Sequence, residues 1–443
     1  MKLPFKLTIA IFTFTGLYAC KPTNPNYNAD AANPLYFSQS LNNLTDVIVH
    51  DIFSPPVASR IYAYPCIAAY EALLPAHPKQ KSFAGQLNDL QTIAKPEESK
   101  NYCYPLASLV AFQQVAKQLI FSEDKMLSYE TQLFKNLDTI GIPQKVKTQS
   151  IKYGEAVAKH ILKWAAADNY SETRSAPKFS ITNKKGKWQP TPPAYMEGIE
   201  PSWNKIRPMV LNNADQFPPP PPSPFSLEKQ SDFYKETLEV YEAVKTAKQE
   251  EEDIARFWDC NPYVMNQTGH VMFATKKITP GGHWMGITNI TCQTANANLM
   301  KTIEAHALVA IALFDAFISC WDEKYRSQLI RPETVINEHI DAEWTPILQT
   351  PPFPEYTSGH SVISTAAAIT LTNLFGDNFA FTDDVEVKYG LPKRSFTSFK
   401  QASNEAAISR LYGGIHYMPA ITYGVEQGEK VGAFVNEKIK LFK

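Results

Sequence analysis

The chain has 443 residues, of which 44% are hydrophobic, and its 43 Lys and Arg residues nearly balance 44 Asp and Glu residues. This length and apolar content are sufficient for one large or two ordinary domains with a buried core. Because the formal net charge is −1, no overall electrostatic field favours binding to nucleic acid or to an acidic surface. Any anion-binding site must therefore be local.

Residues 1–19 have the features of a bacterial export signal. Two early lysines precede an apolar run over 7–17 that is too short to span a bilayer. The run ends in Leu17-Tyr-Ala-Cys20, which resembles the lipobox of bacterial lipoproteins, where the cysteine is lipidated. Residues 20–35, rich in Pro, Asn and Ala, predict a tether. We expect export to the bacterial cell envelope, at the outer membrane, with lipid on Cys20. The alternative is an ordinary secretory signal with a chance cysteine.

The remaining cysteines are widely spaced, and none forms a Cys-x-x-Cys pair. Export permits disulfides, but this spacing predicts no particular bridge and no structural zinc site. The five cysteines are Cys66, Cys103, Cys260, Cys292 and Cys320.

Apolar residues recur at intervals of three and four along most of the chain, and strand signals are scarce. The spacing predicts helices over 36–75 (interrupted at Pro55 and Pro56), 106–121, 123–137, 145–166, 226–258 and 287–319. We therefore expect an all-α helical bundle, with an N-terminal helical region over 36–226 and a second bundle over 227–443.

Residues 168–226 differ from this pattern because they are dense in proline, including the run from Pro218 to Pro222. Such density forbids regular helix and predicts an extended segment. A solvated linker has no use for interleaved aromatic residues, so we expect a strap packed over the helices. The alternative is a mobile linker. The aromatic residues are Trp188, Tyr195, Trp203 and Phe217.

Three short segments near the C-terminus supply cations and histidines. In the first, Lys324 and Arg331 are seven residues apart, which predicts one face of a helix that Pro332 ends. The second, Ser358-Gly359-His360, predicts a loop that leads into a buried helix, whose free N–H groups attract anions. For each segment alone, a solvated charged face or a simple helix cap is the plainer explanation.

The third segment places Arg410 and His416 six residues apart, with two glycines between them. Arginine binds tetrahedral oxyanions in a bidentate way, and a neutral histidine nitrogen can attack phosphorus or bind a metal. The alternative is a glycine-loosened helix in the core. Together the three segments predict a site for a small tetrahedral oxyanion.

The order K-x6-RP, SGH and SR-x5-H resembles the superfamily of vanadium-dependent haloperoxidases, type 2 phosphatidic acid phosphatases and bacterial acid phosphatases. The resemblance implies a helical-bundle fold with the catalytic part in 227–443. In it, the oxyanion would be held by Lys324, Arg331, Ser358, Gly359 and Arg410. His360 would be the acid–base group, Lys324 would also assist catalysis, and His416 would bond to vanadium or to phosphorus.

Trp321 and Phe353 are similar to the aromatic wall on the halide side of fungal chloroperoxidases, which favours the haloperoxidase branch. That branch implies a vanadate cofactor and two small-molecule substrates, hydrogen peroxide and a halide. The alternative is a phosphatase without a cofactor, which cleaves a phosphate ester through a phosphohistidine. A third hypothesis is a lipoprotein that binds an anion or a partner and catalyses nothing.

Two positions depart from the superfamily pattern. Thr357 stands where proline usually precedes the SGH serine, and Ala420 stands where an aspartate commonly follows the last histidine. An acid that orients His416 must then come from elsewhere, and Asp259 and Asp315 are candidates.

Overall fold

The computed structural model describes residues 24–182, 184–268 and 271–443, and this part of the chain is mainly α-helical. Cys20 and the export signal lie outside the described residues. The helices are α1 (Tyr27–Ala31), α2 (Pro34–His50), α3 (Pro55–Leu73), α4 (Tyr104–Lys117), α5 (Glu123–Asp138), α6 (Gln144–Ala165), α7 (Tyr170–Ser175), α8 (Asp232–Lys245), α9 (Gln249–Phe257), α10 (Pro280–Thr294), α11 (Leu299–Ser327), α12 (Pro332–His339), α13 (Gly359–Phe375), α14 (Phe399–Tyr412) and α15 (Met418–Lys438).

Two short antiparallel hairpins accompany the helices. Strand β1 (Met265–Thr268) pairs with β2 (Val271–Ala274), and β3 (Phe381–Asp383) pairs with β4 (Arg394–Phe396). The all-α prediction is confirmed. Helices from both halves of the chain contribute to one hydrophobic core, and the division into 36–226 and 227–443 stays a prediction.

Local signals explain where the N-terminal helices begin. The Asn33 side chain accepts a hydrogen bond from the N–H of Leu35, and Pro34 occupies the first helical position of α2. Ser54 caps α3 in the same way through the N–H of Val57, with Pro55 and Pro56 in its first turn. The predicted break at these prolines is therefore correct. Helix α3 is buried along its whole length and packs against α4, α6 and α11.

Helix α11 lies at the centre and packs against α3, α10, α13 and α15. Among the described residues it is the one helix long and apolar enough to cross a membrane, yet its most apolar window is entirely buried inside the protein. Near its middle, Asp315 accepts hydrogen bonds of 2.6–3.0 Å from the backbone N–H groups of Met209, Val210 and Leu211. The helix is therefore a core element that anchors part of the strap.

The proline-rich strap packs against the helices, as expected. Trp188 and Trp203 are buried, whereas Tyr195 is 64% exposed and does not contribute to this packing. The strap also pairs with the segment after α11, because the Trp188 N–H donates to the Gln328 carbonyl at 2.8 Å. This pairing excludes a mobile linker.

The prediction for the first motif segment is wrong about Arg331. Helix α11 ends at Ser327, where Gln328 adopts a left-handed conformation with φ of 54°. Arg331 has extended backbone angles and is the N-cap residue of α12, whose first residue is Pro332. The proline thus begins a helix rather than ending one, since its fixed φ suits the first helical turn. Lys324 and Arg331 do not share a helix face.

The other two segments lie where the next helices begin and end. The Ser358 hydroxyl caps α13 by accepting the Ser361 N–H at 3.3 Å, which confirms the predicted loop and helix start. Gly413 and Gly414 form the turn between α14 and α15. Gly414 has φ of 77°, and a Cβ there would approach a Val244 methyl to 2.7 Å. Glycine therefore permits the turn that brings His416 back toward α11.

Candidate active site

Three cationic side chains from three segments are buried together. Relative exposure is 0% for Lys324, 0% for Arg331 and 1% for Arg410. Throughout 24–182, 184–268 and 271–443, no carboxylate forms an ion pair with any of them. Their hydrogen-bond acceptors are backbone carbonyls, a hydroxyl and an imidazole nitrogen. Buried charge is costly unless it is paired, so this cluster is suited to an anion that the protein does not itself supply.

One guanidinium nitrogen of Arg331 has no hydrogen-bond partner. Its Nε donates to the Phe353 carbonyl and its Nη1 to the Ile415 carbonyl, each at 2.9 Å. Nη1 also donates to Nε2 of His416 at 3.2 Å, whereas Nη2 is buried with no partner. Burial lowers the pKa of Arg331 to about 10, and nearby Glu355 opposes that shift. Arg331 therefore stays cationic near neutral pH, with one donor unpartnered.

Arg410 is fixed by its surroundings at one edge of the pocket. Its Nε donates to the Ser409 hydroxyl at 2.9 Å, and Nη2 donates to the Trp258 carbonyl at 2.8 Å. Burial lowers the pKa of Arg410 to about 10, with a smaller opposing effect from Asp259. The planar guanidinium thus keeps its charge and a fixed orientation.

Lys324 contacts the loop before the SGH motif. Its ammonium donates to the carbonyls of Pro354 at 3.0 Å, Glu355 at 3.0 Å and Thr357 at 2.6 Å. Burial lowers the pKa of Lys324 to about 7. Three carbonyl acceptors match the three donors of the charged form and exceed the two of the neutral amine, so we assign the ammonium form.

His416 is oriented by Glu355, which the sequence did not reveal. The His416 Nδ1 lies 2.8 Å from Oε1 of Glu355, which also accepts the N–H of Tyr417 at 3.0 Å. Burial, followed by the charges of Arg331 and Lys324, holds the pKa of His416 well below its usual range. The ring is therefore neutral, with its proton on Nδ1 and its Nε2 lone pair toward Arg331.

The two acids proposed from sequence to orient His416 are engaged elsewhere. Asp259 pairs with Lys277, and Asp315 binds backbone N–H groups of the strap. Glu355 lies in the proline-rich loop five residues before His360 and 61 residues from His416, so only the folded chain brings it to the histidine. An isolated acid in an otherwise apolar loop was the available signal.

His360 and Gly359 face the pocket from the start of α13. The Nε2 atom of His360 is buried with no hydrogen-bond partner. Burial, followed by the charge of Arg410, holds the pKa of His360 well below its usual range. A Cβ added at Gly359 would meet only the ring of Trp321, at 3.9 Å, so a larger side chain would occupy the pocket. A neutral imidazole whose Nε2 has no partner thus lines the pocket.

The pocket is a small cavity of about 30 Å³. Trp321 and Phe353 form its aromatic side, with ring centroids 5.0 Å apart. The Lys324 ammonium and the Arg331 guanidinium lie 5.0 and 5.1 Å from the Phe353 ring centre, so this ring covers both cations. Sequence reasoning missed several other lining residues, among them Pro55, Asn261, Tyr263 and Pro280.

The donor set fits a tetrahedral oxyanion. Arg331 has an unpartnered Nη2, and the N-terminus of α13 lines the same pocket as His416. The neutral Nε2 of His416 accepts an N–H from Arg331. The crystal structure described as that of the first bacterial vanadium-dependent iodoperoxidase is similar to this chain, with 52% identity and a TM-score of 0.89. The match covers 96% of this chain and 99% of that one. The chain belongs to the vanadium-dependent haloperoxidase family.

Two further findings agree with this assignment. A family profile described as the VCPO second helical-bundle domain matches residues 304–442, which include all three motif segments. Holo and apo crystal structures of a bacterial vanadium-dependent chloroperoxidase have TM-scores of 0.64 at 15% and 16% identity, and they share the fold. These matches cover 88% and 87% of this chain, and 93% and 94% of those chains. None of the curated proteins matches the chain.

Both departures from the pattern have a structural account. The Thr357 hydroxyl donates to the Gln427 side chain at 2.7 Å, and Gln427 in turn donates to the Ser319 hydroxyl at 2.9 Å. Ala420 carries no acid, but its carbonyl accepts the Ser358 N–H at 3.0 Å, while Glu355 contacts His416. In this member of the haloperoxidase family, the loop before the SGH motif therefore supplies the acid.

Proposed function

We propose that the protein is a vanadate-dependent haloperoxidase that oxidises a halide with hydrogen peroxide. The observation that supports this best is a set of three buried cations that form no ion pair with any carboxylate of the described residues. They surround a histidine that burial and the charges of Arg331 and Lys324 keep neutral and that Glu355 orients. The relative at 52% identity is described as an iodoperoxidase, so iodide is the halide that we expect to be used first.

Vanadate would be held by the residues that the motifs supply. Arg331 offers its unpartnered Nη2, Arg410 offers a guanidinium at the pocket edge, and Lys324 contributes positive charge behind Phe353. The Ser358 hydroxyl and the Gly359 N–H add donors at the start of α13. When bound, vanadate supplies Lewis-acid activation of hydrogen peroxide.

His416 would be the protein ligand of the metal. Its Nδ1–H donates to the Glu355 carboxylate, which fixes the ring and its tautomer. That tautomer leaves the Nε2 lone pair for the metal, once the Arg331 N–H turns from this nitrogen toward the oxyanion.

His360 would move the proton. Its Nε2 is buried and unpartnered beside the pocket, and its low pKa keeps it neutral. A neutral imidazole can accept a proton from hydrogen peroxide and return it to a product oxygen. Lys324 and Arg410 would stabilise negative charge that develops on oxygen during this transfer.

Trp321 and Phe353 would form the wall along which the halide approaches. Both rings are buried and line the pocket, so they exclude water from the charged groups behind them. A large, weakly hydrated halide such as iodide loses less on entering this apolar wall than a small one.

The protein would act outside the cytoplasm. The lipobox-like Cys20 supports attachment to the outer membrane through a lipid, with a short tether before the helices. A Cys20→Ser variant should appear in the soluble fraction of the envelope and incorporate no labelled fatty acid, whereas the unchanged protein should incorporate label and sediment with membranes.

One pair of assays tests the proposed activity. Iodide and bromide oxidation is measured with hydrogen peroxide before and after orthovanadate is added to metal-free protein, and p-nitrophenyl phosphate hydrolysis is measured in parallel. We expect halide oxidation that depends on vanadate and is inhibited by phosphate. Phosphate release without peroxide, together with no halide oxidation, would instead support the phosphatase alternative. A His416→Ala variant that retained full activity and full anion binding would contradict both the haloperoxidase and the phosphatase hypotheses.

A further inference from the structure

A second cluster of chemically versatile side chains lies behind the oxyanion site. Cys260 is in the loop after α9, His283 is in the first turn of α10, and Asp383 and Glu386 flank the turn after β3. All four are buried, with relative exposures of 0–5%. Nothing in the proposed halide chemistry uses His283, Asp383 or Glu386.

Three ligand atoms converge in this cluster. The Cys260 Sγ lies 3.4 Å from Nδ1 of His283 and 3.8 Å from Oε1 of Glu386, and that oxygen lies 3.1 Å from Nδ1. Ligands on a tetrahedral Zn²⁺ ion, with bonds of about 2.0–2.3 Å, are separated by roughly 3.3–3.7 Å. The three atoms are therefore already spaced close to the edges of a zinc coordination tetrahedron.

The imidazole of His283 also has the orienting partner that metal-bound histidines usually have. Its Nε2 lies 2.7 Å from Oδ2 of Asp383, so the second nitrogen can donate to a carboxylate while Nδ1 faces the cluster. The ring stacks on Trp258, with centroids 4.7 Å apart. This packing leaves His283 little freedom to rotate out of the ligand position.

The charges balance with a divalent cation in place. Both nitrogens of His283 face carboxylates, so without a metal the ring must carry two protons, and with two carboxylates and a thiol the cluster has a charge of −1. Binding of M²⁺ forms bonds to Sγ, Nδ1 and Oε1 and releases the thiol proton and the Nδ1 proton to solvent. The charge stays at −1, so the ion adds three bonds without adding buried charge.

We propose that Cys260, His283 and Glu386 bind one Zn²⁺ ion, with Asp383 orienting the imidazole. The combination of thiolate, imidazole and carboxylate is typical of zinc and unsuited to Mg²⁺ or Ca²⁺, which prefer oxygen ligands alone. The described residues supply three ligands, so water takes the fourth position. The Tyr389 hydroxyl, three residues after Glu386, is buried without a partner and is a candidate to hydrogen-bond that water.

The ion would support the haloperoxidase site without belonging to it. Cys260 lines the oxyanion pocket, and the Trp258 carbonyl, two residues earlier, accepts a hydrogen bond from Arg410. A metal that joins this loop to α10 and to the turn after β3 would hold the backbone against which Arg410 is oriented. Zinc is thus a positioning element, and vanadate is the reactive cofactor.

Metal content of the full-length chain tests the proposal in the absence of vanadate. The protein is stripped with a chelator, incubated with Zn²⁺ or Co²⁺, freed of excess ion and analysed by mass spectrometry and absorption spectroscopy. We expect about one zinc ion per chain and, with cobalt, thiolate-to-metal charge transfer and the intense visible bands of tetrahedral Co²⁺. Failure to retain either ion, or cobalt binding without the thiolate band, would overturn the proposal.

Matched variants assign the ligands. Cys260→Ser should abolish the thiolate band, whereas Cys292→Ser, at a buried cysteine outside the cluster, should keep it. Glu386→Gln keeps the size of the side chain and should weaken zinc retention at least tenfold, with the near-ultraviolet circular dichroism of the fold unchanged. A thiolate band that persists in Cys260→Ser, or equal zinc retention in all variants, would place the metal elsewhere and refute this site.

Discussion

Arg60 and Arg331 are both buried, but their surroundings differ. Arg60, on α3, donates from Nε to Asp168 at 2.7 Å and from Nη2 to the Ala165 carbonyl at 3.0 Å, and Tyr64 also donates to Asp168. Arg331 contacts carbonyls and His416, has no acidic partner in the described chain, and keeps one nitrogen unpartnered. Arg60 therefore has a carboxylate in an ion pair with it, whereas Arg331 has none among the described residues.

The difference indicates that Arg60 contributes to the stability of the fold, whereas Arg331 contributes to ligand binding. A buried ion pair such as Arg60 with Asp168 offsets the cost of removing both charges from water, and breaking it leaves a charge stranded. The cations around His416 form no ion pair with a carboxylate of the described residues, although the charge of Glu355 acts on Arg331 and Lys324. Binding of an anion would therefore offset part of the cost of burying these charges. Four measurements can break or sharpen this contrast.

The largest effect is expected from His416→Ala. Loss of the proposed metal ligand should reduce vanadate-dependent iodide oxidation at least about a thousandfold, the scale at which removal of a central catalytic group acts. Iodide oxidation is measured at saturating peroxide and vanadate. The matched control is His306→Gln, at a buried histidine on α11 whose Nδ1 contacts the Thr302 carbonyl. This residue does not line the pocket, so the variant should retain activity. If iodide oxidation fell equally in both variants, the loss would come from disturbing a buried histidine and not from removing a metal ligand.

Asp168→Asn should cost about 3–5 kcal/mol in free energy of unfolding, because it strands the Arg60 charge. In vanadate-free buffer, Arg331→Met should cost less than about 2 kcal/mol, since removal of an unpaired charge offsets the lost carbonyl hydrogen bonds. Chemical denaturation measures both values. A greater loss for Arg331→Met than for Asp168→Asn would refute the contrast between the two arginines.

Vanadate should raise the free energy of unfolding by about 2.7 kcal/mol at a hundred times its dissociation constant, because it binds only the folded state. The Asp168→Asn variant should keep this increment, while Arg331→Met should lose most of it. Thermal unfolding with and without vanadate provides the measurement. Sulfate at the same ionic strength controls for general salt effects.

Glu355→Gln should weaken vanadate binding about 10- to 100-fold, the usual effect of removing a group that orients a metal ligand. The amide keeps the size of the side chain but does not fix the His416 tautomer as the carboxylate does. Titration of metal-free protein with vanadate measures the affinity. Glu71→Gln, at a buried acid on α3 that accepts from the Ser82 hydroxyl and the Phe83 N–H, should leave the affinity unchanged.

Helix positions followed from the sequence wherever apolar spacing and prolines agreed, as in the break at Pro55. The motif residues were also identifiable, because their order along the chain carries the signal. Arg331 was placed on the wrong element because a left-handed Gln328 ends α11, and glutamine gives little sign of that conformation. Glu355 was missed because its partner His416 is distant in sequence and meets it only through the turn at Gly414.

The proposed zinc site was also missed from the sequence, because its ligands are distant from one another along the chain. Cysteine spacing alone gave no reason to expect a metal, since Cys260 has no nearby cysteine or histidine in sequence. His283 and Glu386 reach it from two other segments. Spacing rules detect ligands that share one local segment, and they do not detect a site assembled from three.

The Asp315 carboxylate, which holds the strap through three N–H groups, also lies near the middle of α11, the one helix of the described residues that is long and apolar enough to cross a membrane. Two environments compete for such a helix in a chain that is still unfolded: the interior of its own protein and the interior of a lipid bilayer. An aspartate at the centre of a spanning helix costs roughly 2.5–3.5 kcal/mol on insertion scales. One carboxylate thus favours the first environment and disfavours the second, so α11 is directed to the protein core.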